Sequence, residues 1–221
     1  MDIVPMDSVI DPTDPLALRE LLGRFCSGIT VVATEGPAGV AGFACQSFSA
    51  LSLDPPMVLI SVMRQSRTLP ALLERGDFAV SVLGADAAEV SATVGGRDPD
   101  KFSRVPLART DRGMPVIAGA LAWFDCSVAR VVDGGDHVVI LADVHGAGPA
   151  ECDGDPLLFF RGRYEQMARP VPAVPATAQA AAPGVPQAAA PGIAAAAAAV
   201  SAAGYREPAG ALAGYVPGDW F

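Results

Sequence analysis

Two long apolar runs face each other across a glycine turn, and this pairing limits the possible folds more than any other feature of the chain. GALAWFDCSV and HVVILADV flank Asp133-Gly134-Gly135, and a Gly-rich turn between apolar β-formers specifies an antiparallel hairpin. Shorter runs of the same kind come before it. GITVVAT (Gly28 to Thr34) turns at EGPAG, and GFACQSFSALSL is read as one strand that stops at Asp54-Pro55-Pro56, which restricts the strand exit. MVLISVM and DFAVSVLG follow, and PLLFFRGRY comes after the hairpin. Asp14-Pro15 opens a helix with a capping acid and a proline in the first turn, and Leu18, Leu21, Leu22 and Phe25 give it one apolar face. SRTLPALLERG starts a second helix near Thr68 and Pro70 and ends it near Gly76, and ADAAEVSATVG predicts a third. No β-α-β alternation, G-x-G-x-x-G or G-x-x-x-x-G-K-[ST] occurs, so the usual phosphate-loop signatures are absent. The expected fold is mainly β, a barrel decorated by helices.

The organisation changes at Arg169-Pro170. Val171 to Gly204 spans 34 residues with 17 alanines and no charge, and prolines stand at 170, 172, 175, 183, 186 and 191. Such a segment lacks the large apolar side chains that offset ordering entropy. Within it, Ile193 to Ala203 is a strong local helix former ending at Gly204. The expected division is an N-terminal arm over 1–13, a folded domain over 14–169, and an Ala/Pro-rich tail over 170–221 ending in GYVPGDWF.

Charge and cysteine usage exclude several classes. Fifteen Lys and Arg against 24 Asp and Glu give a net charge of −9, which argues against a nucleic-acid or anionic-membrane partner. Lys101 is the single lysine. The four cysteines, Cys26, Cys45, Cys126 and Cys152, show no C-x-x-C and no zinc-type pairing with histidine, so reduced thiols and no metal are expected. MDIVPMDSVI has no basic n-region and no segment matches a membrane span. A cytoplasmic location is expected.

Six motifs then occur in a familiar order: GRFCSGITVVAT, GFACQSFSALSLDPPMVLISV, DKF, GALAWFDCSV, GDHVVILADV and PLLFFRGRY. Together they resemble the flavin reductase-like, FMN-binding split-barrel family, the short-chain NAD(P)H:flavin oxidoreductases that serve two-component monooxygenases. The resemblance covers Ala17 to Ala168 and implies a six-stranded antiparallel Greek-key barrel that binds FMN or FAD near a homodimer interface. NADH or NADPH would be the co-substrate, and a flavin-dependent monooxygenase would receive the reduced flavin. Ala44, Cys45, Gln46, Ser47, Phe48, Ala50 and Leu51 match the strand laid against the isoalloxazine ring. Gln65, Ser66, Arg67 and Thr68 match the loop that takes the flavin phosphate, and Lys101 and Phe102 a loop that closes near the flavin. His137 resembles the histidine near the nicotinamide, and Arg163 and Tyr164 fall where the family's G-x-Y lines the pocket. The chain departs from the family's frequent Thr at Ala44 and from its Ala, Asn or Ser at Cys45 and Gln46.

The residue types are compatible with that chemistry, and the surrounding motifs favour it over a plainer reading. A flat ring with donors and acceptors along one edge can approach a strand backbone only where side chains are small, as at Ala44, Cys45, Ser47 and Ser49. Taken alone, this run also fits a water-exposed edge strand. Ser66-Arg67-Thr68 offers two hydroxyls and a guanidinium to a phosphate, and equally a plain helix cap. His137 follows a glycine turn at a strand start, which suits a hydrogen bond to a nicotinamide or a surface position. Other readings of the fold are a reductase that keeps its flavin and reduces another acceptor such as ferric iron, or a non-catalytic flavin- or haem-binding module.

Overall fold

The computed structural model describes residues 9–149 and 154–167. The expected tail over 170–221 with its helix, most of the N-terminal arm, and Cys152 lie outside the described residues. Asp14 caps α1 (Pro15–Leu22), accepting from Leu16 N at 2.9 Å and Ala17 N at 3.3 Å. Its predicted apolar face is present but uncovered: Leu21 is 44%, Leu22 47% and Phe25 77% exposed. Helical periodicity identifies an apolar face without naming the surface that covers it.

After β1 (Ser27–Gly28) come β2 (Thr30–Gly36), β3 (Gly39–Cys45), β4 (Ser49–Leu53) and β5 (Pro56–Met63). Then follow α2 (Leu69–Arg75), β6 (Asp77–Val82) and α3 (Ala88–Gly95). A 3-10 turn (Lys101–Arg104) leads into the small hairpin β7 (Leu107–Arg109) and β8 (Pro115–Ile117), which the sequence reading did not anticipate. The long hairpin β9 (Ala122–Gly134) and β10 (His137–Pro149) follows as expected, and β11 (Leu158–Phe160) and β12 (Arg163–Glu165) join β1 in a separate sheet.

The main sheet is antiparallel and runs β3-β2-β6-β9-β10-β5-β4. It has seven strands around the barrel that the resemblance implied with six, and GFACQSFSALSL, read as one strand, is two of them. β3 lies at one edge of the sheet and β4 at the other, and Gln46 to Phe48 carries the chain across the gap between them. Asp54-Pro55 is a cis bond in the turn that returns β4 to β5. The product is a mainly β barrel left open along one seam.

Strand alternation divides the core. Val32, Phe43, Cys45, Ile60, Val62, Phe78, Val80 and Ile140 fill the barrel, closed at one end by Leu69 and Leu72 of α2. Val31, Ala33 and Ala44 face outward beneath Val94 of α3 and Phe102 and Val105 of the 3-10 segment. β2 is therefore buried on both faces, which explains its unbroken Thr-Val-Val-Ala run.

Candidate functional site

A cavity of about 920 Å³ opens at the seam, between the free edge of β3, the end of β5, and the loops carrying Gln65–Thr68 and Gly95–Arg97. That is the size of a pocket for a small organic ligand. Ser47 occupies the seam itself. Its hydroxyl accepts from Ser61 N at 2.9 Å and donates to Ser61 O at 3.0 Å. The Ser47 proton is thus committed, so the Cys45 thiol, 3.2 Å away, is the donor between that pair. Burial pushes the Cys45 thiol above its ordinary pKa, against the opposing hydrogen bond with Ser47. A protonated thiol of this kind contributes its small size and no nucleophile. Thr30 donates to Cys45 O at 3.0 Å and Ser27 to Gln46 Oε1 at 3.2 Å, so hydroxyls do much of the seam's hydrogen bonding.

One side of the mouth is cationic. Arg67 Nη2 donates to Arg97 O at 2.7 Å, tying the two loops together. The Lys101 ammonium donates to Val94 O at 2.6 Å and Gly96 O at 3.3 Å, at the C-terminal end of α3 where free carbonyls attract a cation. Burial, and secondarily the Arg67 charge, bring its pKa down to about 8. Ser66 Oγ accepts from Thr68 N at 3.3 Å, which leaves its proton free to donate. Thr68, by contrast, donates its proton to Gly42 O at 3.2 Å.

His137 also lines the cavity, at the first position of β10, with Nδ1 2.6 Å from Asp136 Oδ1. The turn that carries it is fastened to the end of β5. Arg64 N donates to Asp136 O at 3.0 Å, Arg64 Nε to Gly135 O at 2.7 Å, and the guanidinium also pairs with Asp133.

Of the residues singled out from sequence, Cys45, Gln46, Ser47, Gln65, Ser66, Arg67, Thr68, Lys101 and His137 line this cavity together. Seven others lie elsewhere. Ala44 and Phe102 belong to the outer core, and Phe48 packs on Phe124 at 5.5 Å between ring centroids. Ala50 and Leu51 are exposed on the β4 edge. Arg163 is exposed, and Tyr164 donates to Ser91 Oγ at 3.1 Å. Sequence reasoning missed Phe25, Ser27, Ser61, Gly95, Gly96 and Arg97 among the lining residues. Gly95-Gly96-Arg97 at a helix end was the signal available, whereas Ser27 and Ser61 look like ordinary strand residues. Among the described residues, no cluster of His, Cys, Asp or Glu is placed to hold a metal ion, and no helix is long and apolar enough to cross a membrane.

The family model described as flavin reductase like domain matches residues 22–168. The chain belongs to the flavin reductase-like family. This flavin reductase-like chain is 45% identical over 152 residues to the flavin-dependent monooxygenase reductase subunit HsaB of Mycobacterium tuberculosis, covering 68% of this chain and 81% of that one. It is 41% identical over 153 residues to the FMN reductase (NADH) SmoA of Agrobacterium fabrum, covering 69% and 86%. Among solved structures, nitrilotriacetate monooxygenase component B from Mycobacterium thermoresistibile superimposes with a TM-score of 0.70 at 43% identity, over 73% of this chain and 92% of that one. The Streptomyces globisporus NADH:FAD oxidoreductase SgcE6, solved with NAD and FAD fragments, gives 0.69 at 34% identity, over 73% and 97%.

Proposed function

We propose that this chain is an NAD(P)H-dependent flavin reductase that passes reduced FMN or FAD to a partner monooxygenase. The observation that carries the reading is the seam cavity, where small strand residues, a cationic rim and His137 converge. A flavin fits this donor set: Cys45, Ser47 and Ser61 are small enough for a flat ring to reach β3 and β5, and Ser66 and Arg67 offer an O–H and a guanidinium to its phosphate. When bound, the flavin supplies the chemistry, because its ring accepts a hydride from the nicotinamide.

The protein's share is orientation and exclusion of water. Arg67, tied to Arg97 O, holds the phosphate loop against the α3 loop. His137, oriented by Asp136 and by the Arg64 clamp, presents its other ring nitrogen for a nicotinamide amide or ribose. The relatives support this reading, since HsaB is named a monooxygenase reductase subunit and SmoA an FMN reductase using NADH. The folded unit over 14–169 carries the activity, with 170–221 as an appendage. The working form is a cytoplasmic homodimer, for which the uncovered leucines of α1 and the exposed Leu51 and Leu53 offer surface.

Steady-state oxidation of NADH and NADPH, with FMN and FAD varied, tests the proposal. Turnover that rises and saturates with free flavin is expected, and bound yellow flavin without NAD(P)H oxidation overturns it. Replacing Ser66 and Arg67 together with Ala raises the flavin KM about tenfold or more.

A further inference from the structure

The cationic rim holds more positive charge than one phosphate uses. If Ser66 and Arg67 take a flavin phosphate, the Arg97 guanidinium is left over, and it has no ion-pair or hydrogen-bond partner of its own among the described residues. The adjacent acid in the chain, Asp98, is taken up by Arg104 at 2.6 Å. Lys101 uses two of its three ammonium hydrogens on Val94 O and Gly96 O and also lines the cavity. Arg67, Arg97 and Lys101 thus share one mouth with no carboxylate between them, in a chain where acids outnumber Lys and Arg by 24 to 15. Like charges gathered without a counter-ion are unfavourable unless a ligand supplies it. The Arg67 charge already acts against the protonated form of Lys101.

We infer that Arg97 and Lys101 form a second anion subsite beside Ser66-Arg67, one that takes the diphosphate of a dinucleotide. It rests on the flavin reading only for its first phosphate. FAD and the nicotinamide dinucleotides both carry this group, so the chemistry is shared while the source is separable. A diphosphate spans the two loops that the Arg67–Arg97 bond holds together, whereas a mononucleotide reaches only the first.

Fluorescence-quenching titrations of the full chain with FMN and FAD, without nicotinamide, give the ratio of the two dissociation constants. KM values for NADH and for reduced nicotinamide mononucleotide give the second ratio. Arg97→Ala is expected to reduce the preference for the diphosphate member of at least one pair about tenfold, the loss of one charge-assisted contact. A change in the flavin pair assigns the subsite to FAD, and a change in the nicotinamide pair assigns it to NAD(P)H. If neither ratio changes, the inference falls and the flavin reading stands. Inorganic pyrophosphate is the independent probe: it should raise the melting temperature of the parent chain more than orthophosphate does, and lose that advantage in Arg97→Ala. That result in a chain that binds no flavin would uphold the subsite and sink the flavin reading. No pyrophosphate advantage in the parent chain would sink the subsite.

Discussion

Ser47 and Ser61 are joined by two hydrogen bonds, N–H to hydroxyl at 2.9 Å and hydroxyl to carbonyl at 3.0 Å, so one side chain takes the place of a strand. The β4–β5 ladder ends at Ser49 opposite Leu59, two residues short of this point. Beyond it, Ser61 would otherwise present both backbone groups to the cavity. Ser47→Ala should therefore lower stability by about 1–3 kcal/mol, the cost of unpairing them. Urea unfolding measures it, and an unchanged midpoint would mean that water replaces the hydroxyl at no cost.

Gly42 lies where β3 passes closest to its neighbours. A Cβ there would meet Val32 O at 2.4 Å and Phe102 Cζ at 2.7 Å, and Val32 is held in ladders on both sides. The backbone of β2 has no room to give. Gly42→Ala should cost about 3 kcal/mol or more, seen in thermal unfolding. A melting temperature within a degree or two of the parent chain would contradict the packing described.

Asp125 is 1% exposed and shares its carboxylate between Thr110 and Arg112, with Arg112 also bridging to Asp77 at 2.8 Å. Removing the guanidinium leaves a buried charge poorly compensated. Arg112→Met should destabilise by about 3–5 kcal/mol. The double variant with Asp125→Ala should cost less than the sum of the singles, because the unpaired charge is gone. Strict additivity would show that the pair does not interact.

Lys101 brings a pH dependence of two signs. Its folded pKa, about 8, lies below the ordinary 10.5, so between those values the unfolded chain holds the proton more tightly and stability rises with pH. Anion binding runs the other way. Affinity for whichever dinucleotide the subsite takes, FAD or NAD(P)H, should be greatest below pH 8 and decline as the ammonium loses its charge above it. Lys101→Arg, charged throughout, should flatten the decline. Titrations from pH 7 to 9 decide this, and an equal slope in both proteins would remove Lys101 as its cause.

Much of this was legible from the chain. The Asp133–Gly135 turn determined the β9–β10 hairpin, Asp14-Pro15 the start of α1, and Gly76 the end of α2, because caps, turns and alternation are local properties. The six motifs carried the family. GFACQSFSALSL was the exception, since nothing local reveals that a run of small residues crosses from one sheet edge to the other at Gln46–Phe48.

What the sequence determined by itself is the long β9–β10 hairpin, the family, and the residue types of a flavin-sized site. Tertiary structure alone decided which of those residues meet. Alternation turns Cys45 toward the barrel and its neighbour Ala44 toward the outer core. The 3-10 segment brings Lys101 to the mouth and buries Phe102 beside it. Arg67 reaches the Arg97 carbonyl only because the start of α2 and the end of α3 meet at the same seam. A side chain's type is written in the chain, but its direction is set by the strand or turn that carries it, and its neighbours by contacts between elements distant in sequence.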